Sequence, residues 1–448
     1  MNHASAKPAV STRDRDAVLQ ALRAGVVPRR GLQHIQVGRE AEIKAIVADI
    51  ERILEGGAGI RFVVGDYGAG KTYLLSLIRA IALEKGLLHV SADLNPDRRL
   101  YGAGGQGRSL YNELTRNLAT RTKPEGGGMT SVVERFVSSA IQEAKQQGKS
   151  EREIIDARLQ GLSELVGGYD FATVVERYWT GFDTANDALK TDAVRWLRGE
   201  FSTITDARKA LGVRTIIDDD NVYDGLKLFA RFAKLSGYGG LLVGLDELVN
   251  LHKLQNSQAR NGNYEQILRI LNDAIAGSAE HIGFIFGATP ETVSDTRRGL
   301  FSYAALQSRL AENRFAAQHG VQDFGGPIIR LANLTPEDLF VLLTKLRDVH
   351  GGRSAQVLDH AAIASFLAFC LQRIGAAYFQ TPRTTIRAFL DLMAVIELKP
   401  EASIADLLEG VAVEPDHDPA AEDLPEAAPT DTAAAPTGPE DDLTSFKL

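Results

Sequence analysis

Gly65-Asp66-Tyr67-Gly68-Ala69-Gly70-Lys71-Thr72 is the stretch on which the reading of this chain turns. It fits G-x-x-x-x-G-K-[ST]. The residues before it, IRFVVG from Ile60, have the length and β-branched content of a buried strand, and those after it, YLLSLIRAIALEKG from Tyr73, have helical spacing. A glycine-rich turn from strand into helix aims successive backbone N–H groups at one point, where the helix N-terminus adds partial positive charge. In that setting the turn is a phosphate cradle. Gly65, Asp66, Tyr67, Gly68, Ala69 and Gly70 make the loop, Lys71 reaches the β and γ phosphates, Thr72 offers a hydroxyl to Mg²⁺, and Tyr73 completes the nucleotide-contacting set. The ligand these residues imply is ATP with Mg²⁺.

A cradle binds nucleotide without hydrolysing it, so a metal carboxylate and a water-polarising base are needed elsewhere. LLVGLDE, Leu241 to Glu247, supplies both: a buried strand ending in Asp then Glu puts Asp246 at the carboxyl edge of a sheet beside Thr72, with Glu247 turned toward attacking water. Strands commonly end in acids that merely cap helices. Beside the glycine-rich loop, the pair reads as metal ligand and catalytic base.

Working outward, further buried strands are expected at LLHVSADL, ending at Asp93, at HIGFIFGAT, ending at Thr289, and at PIIRLANL. Helical patterns fill the chain between them, so the fold class is α/β, an open and mainly parallel sheet. The divisions that follow are an N-terminal arm and short helix (1–30), an α/β nucleotide-binding domain (31–335) with a large helical insertion at about 120–201, a small all-helical lid (336–398) and an acidic tail (411–448). The short helix, DRDAVLQALRAG, is expected to pack beside the nucleotide site. The tail has six prolines, ten acids and one Lys, a composition that predicts disorder; its terminal SFKL also reads as a short docking peptide.

Setting the tail's ten acids and one Lys aside turns 58 acidic and 50 basic residues into 48 and 49, so the body is nearly neutral despite a net charge of -8. That balance neither demands nor excludes nucleic acid. Arg98, Arg99 and Arg108 in one loop, and Arg116, Arg121 and Lys123 in the insertion, are the places where DNA would be met directly; a solvated basic face fits them too. No long apolar run and no apolar leader after Met1 point away from membrane and toward a cytoplasmic location. A single cysteine, Cys370 in SFLAFCL, excludes an intrachain disulfide and reads as a buried structural thiol.

Two roles fit Thr289: sensing γ-phosphate from a neighbouring strand tip, or capping a helix begun by Pro290. Two likewise fit Arg309, in Gln307-Ser308-Arg309-Leu310, and Arg383, at the start of the last lid helix: meeting transition-state phosphoryl charge, or structural ion pairing. Ion pairing is the favoured reading for Arg297, Arg298 and Arg314.

In motif order the chain resembles the AAA+ superfamily, particularly its initiator and origin-recognition branch. Val37-Gly38-Arg39-Glu40 resembles the box that contacts the adenine side, Gly65 to Thr72 Walker A, and Leu241 to Glu247 Walker B. Thr289 falls at sensor 1, Ser308-Arg309-Leu310 resembles the arginine-finger motif, and Arg383 in TPRTTIR resembles sensor 2. ALRAGVVPRRGLQHIQVGREAE, VVGDYGAGKTYLL with DLNPDRRLYG, and GATPETVSDTRRGLFSYAALQSRL further resemble the BrxD family of ATP-binding proteins from bacterial BREX phage-resistance systems. The resemblance implies a homo-oligomer with shared ATP sites, acting in DNA-directed defence on a partner such as a helicase, with DNA met directly or through that partner. No winged-helix module fits between Leu398 and the tail, which argues against sequence-specific DNA binding. The alternative is a switch or scaffold that binds ATP and recruits partners with little turnover.

Overall fold

The computed structural model describes residues 10–376, 382–399, 401 and 403–408, apart from the side chain of 317; the acidic tail of the sequence reading lies outside them. Five strands form one sheet: β1 (Ala58–Val64), β2 (Leu88–Asp93), β3 (Leu241–Asp246), β4 (Ile282–Ala288) and β5 (Ile328–Arg330). Their order is β2-β3-β4-β1-β5, and every pairing is parallel. All the strands expected from the sequence are present.

Parallel strands need crossovers, and helices on both faces bury the sheet, which is why these strands read as unbroken apolar runs. Alternation along each strand assigns the two faces. Val63, Leu242, Ile285 and Ile329 point to one side, against Ile46, Ile50 and Ile53 of helix Glu40–Leu54 and Leu74 and Ile78 of helix Lys71–Glu84. Phe62, Val90, Val243, Phe284 and Phe286 join the other and larger core, which continues into helix Val222–Leu235 and the inserted helices. Phe62 and Phe286 stack there at 4.9 Å.

The helices between β2 and β3 include Met129–Gln147, Glu151–Leu159, Gly168–Asp183 and Asp187–Leu197, and the helical run continues past Phe201 through Ile204–Leu211. Local chemistry fixes its joints. Ser150 and Glu153 form a capping box, and the Thr203 hydroxyl accepts from Asp206 N–H, starting a helix that buries Ala207 and Leu211. A separate core gathers helices Pro336–His350, His360–Ile374 and Arg383–Leu398, and the N-terminal helix Thr12–Arg23 belongs to it through Val18. The short helix thus lies on the lid and meets the nucleotide loop's neighbourhood at its end, where Gly25 sits against Arg383.

One buried charge pair braces β1. Arg61 and Asp49 are 8% and 5% exposed, joined by Arg61 Nη2 donating to Asp49 Oδ1 at 3.1 Å; Arg61 Nη1 also donates to Phe324 O at 2.7 Å. Asp49→Ala would strand a buried guanidinium, so unfolding free energy should drop by about 3–5 kcal/mol in denaturant titration. A loss below about 1 kcal/mol would mean that the backbone acceptors suffice for Arg61.

Candidate functional site

The carboxyl edge of the sheet collects the chemistry. Gly65 follows β1, Asp93 ends β2, Asp246 ends β3 and Thr289 follows β4. Gly70 adopts φ +86° at the head of helix Lys71–Glu84, a conformation that lets the loop turn into the helix and leaves Gly70 and Thr72 open to solvent. Lys71 Nζ donates to Gly65 O and Asp66 O, both at 2.9 Å, which holds the ammonium over the loop it closes.

Thr72 Oγ1 donates to Asp246 Oδ2 at 2.8 Å, joining residues 174 positions apart. Asp246, 9% exposed, accepts on its other oxygen from Glu247 N–H at 2.9 Å. Glu247 has φ +58°, uncommon for a side chain of its size and an instance of local strain at a strand end. Its carboxyl is held above the ordinary range, first by desolvation, then by Asp246 and Asp93, against the opposing pull of Lys71 and Lys253. The sequence reading missed two participants. Asp93 stands in register with Asp246, and its own carboxyl is raised by desolvation and by Asp246, although the residue as a whole is exposed. Gly287 faces Asp246 so closely that a Cβ there would lie 2.1 Å from Oδ1. The signal for Asp93 was its place at a strand end aligned with LLVGLDE; for Gly287 it was a glycine inside a buried strand.

The remaining expected residues fall as follows. Arg39, at φ +65° after Gly38, donates to Ala69 O at 3.0 Å and to Ala332 O, tying the start of helix Glu40–Leu54 to the loop and to the exit of β5. Asp66 Oδ2 accepts from Asn333 Nδ2 at 3.4 Å. Tyr67 meets Arg383, whose Nη1 donates to the phenol oxygen at 2.9 Å. Tyr73 is turned toward the lid core, its hydroxyl donating to Leu32 O at 2.9 Å and its pKa raised by burial. Thr289 caps no helix N–H with its side chain; its hydroxyl pairs with that of Thr292 at 2.9 Å. Arg309 is exposed at the end of helix Ala304–Arg309 and donates to Ala305 O within that helix.

The basic loop lies beside this edge. Leu94 N–H donates to Asp246 O, and Asn263, fully buried, clasps Tyr101 by both its backbone N–H and its carbonyl at 3.0 and 3.1 Å. Arg98 and Arg116 share Glu113, at 3.5 and 3.9 Å, while Arg121 and Lys123 are exposed.

A glycine-rich cradle with its lysine, followed by a strand-end aspartate that takes the cradle's threonine, is a nucleotide-site arrangement on a P-loop fold. A family model described as BREX system ATP-binding protein BrxC/D matches residues 10–412. The chain belongs to that family. It is an ATP-binding protein of a BREX phage-defence system, as the BrxD resemblance implied; the likeness to origin-recognition ATPases is no part of this assignment. Among curated proteins, none matches the chain. No described helix is long and apolar enough to cross a membrane.

Cys370 plays no part at this edge. It lies fully buried in the lid core, and burial pushes its thiol up to about 12. Because the thiolate is the reactive form, Ellman's reagent at pH 8 should leave the folded chain unmodified and label one thiol per chain after denaturation. Rapid labelling of the folded chain would contradict the buried placement.

Proposed function

We propose that this protein is a Mg-dependent ATPase of the AAA+ class that works as a homo-oligomer and loads or remodels a partner, such as a helicase, on DNA. The observation that carries the reading is the Thr72–Asp246 hydrogen bond, with Glu247 next in the chain. The donor set fits Mg²⁺: one hydroxyl and one carboxylate oxygen already face each other, and this cation takes few protein ligands, completing its shell with phosphate and water. Among the described residues no cluster of three or more His, Cys, Asp and Glu forms an all-protein cage. When bound, the ion would neutralise charge on the β and γ phosphates.

The chain's own groups do the rest. Backbone N–H groups of Gly68 to Thr72 bind the phosphates, and Lys71 exchanges its two loop carbonyls for phosphate oxygens. Glu247 orients water and takes its proton; the desolvation and neighbouring acids that raise its pKa also make it a stronger base. Thr289 and Arg383 contact γ-phosphate. Arg309, exposed and hydrogen-bonded to Ala305 O of its own helix, completes the site of a neighbouring subunit.

Two variants separate binding from turnover. Lys71→Ala should abolish useful ATP affinity, whereas Glu247→Gln should bind ATP normally and release phosphate at least about 10²-fold more slowly, the scale of one general base. Equilibrium nucleotide binding and multiple-turnover phosphate release measure both. A wild-type rate no higher than that of Glu247→Gln, with and without DNA, would sink the ATPase reading and favour the switch.

Arg309→Ala should keep ATP binding and lose about 10³-fold or more in turnover, as expected for an arginine supplied across an interface. Mixed with Lys71→Ala, it should regain activity where sound halves meet. An inactive mixture whose co-assembly is confirmed by native mass measurement would exclude Arg309 as the shared residue.

A further inference from the structure

We propose that Tyr67 is a positioning residue for Arg383: the phosphate loop itself holds the lid's leading arginine at its rim and presents it to the terminal phosphate of a nucleoside triphosphate. The inference rests on the ATP reading above and adds a role for a loop position that phosphate binding leaves unspecified.

The cradle uses backbone N–H groups, so nothing in its chemistry calls for an aromatic side chain at Tyr67. In the structure that side chain is engaged twice by one partner. Arg383 Nη1 donates to the phenol oxygen at 2.9 Å, and the guanidinium carbon stands 5.5 Å from the ring centroid, within the range of cation–π attraction. The arginine's stem is bounded as well. A Cβ built on Gly25, just past the N-terminal helix, would lie 3.4 Å from Arg383 Cδ, so the chain passes the stem at contact distance while the head rests on Tyr67.

Arg383 opens helix Arg383–Leu398, which sends Phe389, Leu390 and Met393 into the lid core. Tyr67 lies in the loop that follows β1 of the sheet. Their contact therefore couples two separately cored units across 316 positions of sequence. A guanidinium has five N–H donors in a fixed fork, so a single bond to Tyr67 does not exhaust its capacity to meet phosphate oxygens. Holding the fork at the loop lowers the entropic cost of its meeting the phosphate. A diphosphate would not draw on this arrangement, so Tyr67 should favour ATP over ADP without touching either nucleotide's phosphates through its side chain.

The test measures ATP and ADP affinity by calorimetry for Tyr67→Phe, Tyr67→Ala, Arg383→Ala and the Tyr67→Ala/Arg383→Ala pair. Phe keeps the ring face and should weaken ATP about two- to fivefold, Ala about tenfold, with ADP affinity unchanged. In the Arg383→Ala background, Tyr67→Ala should add nothing, the mark of coupled residues. Wild-type ATP affinity in Tyr67→Ala, equal losses for ATP and ADP, or a full effect persisting without Arg383 would each overturn the proposal. A second readout needs no nucleotide. Spin labels at Glu55→Cys and Gln372→Cys, both exposed positions, in a Cys370→Ser chain report the distance between sheet and lid. Tyr67→Ala should broaden that distribution, and an unchanged one would refute the tether. Failure of the wild-type chain to bind ATP would instead sink the nucleotide reading, with the distance measurement still deciding the tether.

Discussion

The site depends on one constraint, the parallel pairing of β2, β3, β4 and β1. Parallel strands end at the same edge, so residues far apart in sequence arrive together without any local signal between them. Asp93 and Asp246 are register partners, and Val64, just before the cradle, pairs with Ala288, just before Thr289. The Thr72–Asp246 bond is a consequence of that alignment. A shift of β3 by one residue would turn Asp246 to the other face and put Leu245 in its place. Gly287 shows how tightly the edge is drawn, since any side chain there would occupy the space of the Asp246 carboxylate.

Crowding acidic groups at such an edge costs electrostatic energy, which appears as the raised carboxyls of Asp93 and Glu247. The same crowding gives the site its chemical character. Negative potential beside a basic loop suits a divalent cation and a polarised water, and the left-handed backbone at Glu247 separates its direction from that of Asp246. Strain and repulsion are tolerable here because the flanking strands are buried throughout: β1, β3 and β4 expose none of their residues. Rigid strands deliver strained tips.

How much of this was legible in the sequence follows from how local each feature is. The cradle and LLVGLDE were readable because an apolar run, a turn and a charged end are consecutive, and the five strands were readable because both of their faces are buried. Asp93 was visible only as the end of a strand; its register with Asp246 is a property of the sheet. Arg61, the second residue of IRFVVG, gave no sign that Asp49 on the preceding helix would pair with it. The N-terminal helix was recognised by its apolar stripe, yet that stripe is equally compatible with any apolar surface, and the lid supplied it. Thr289 shows the converse: a sequence that begins a helix with Thr-Pro looks like a cap, but the hydroxyl found Thr292 instead of backbone.

The phosphate loop and the helix that follows it are joined by side chains to the helical unit after β5. Val18 and Ile35 from the N-terminal region share the lid's apolar core, so these segments and the lid helices form one packing unit. Two tyrosines of the loop and its helix face that unit. Tyr73 is half-buried, its ring against the lid core and its hydroxyl on Leu32 O, whereas Tyr67 holds Arg383 in an exposed polar contact. Breaking the first costs apolar burial, about 25 cal/mol per Å² exposed, while the second exchanges readily with water. Tyr73 is therefore the apolar, and Tyr67 the polar, contact between the loop with its helix and the lid unit.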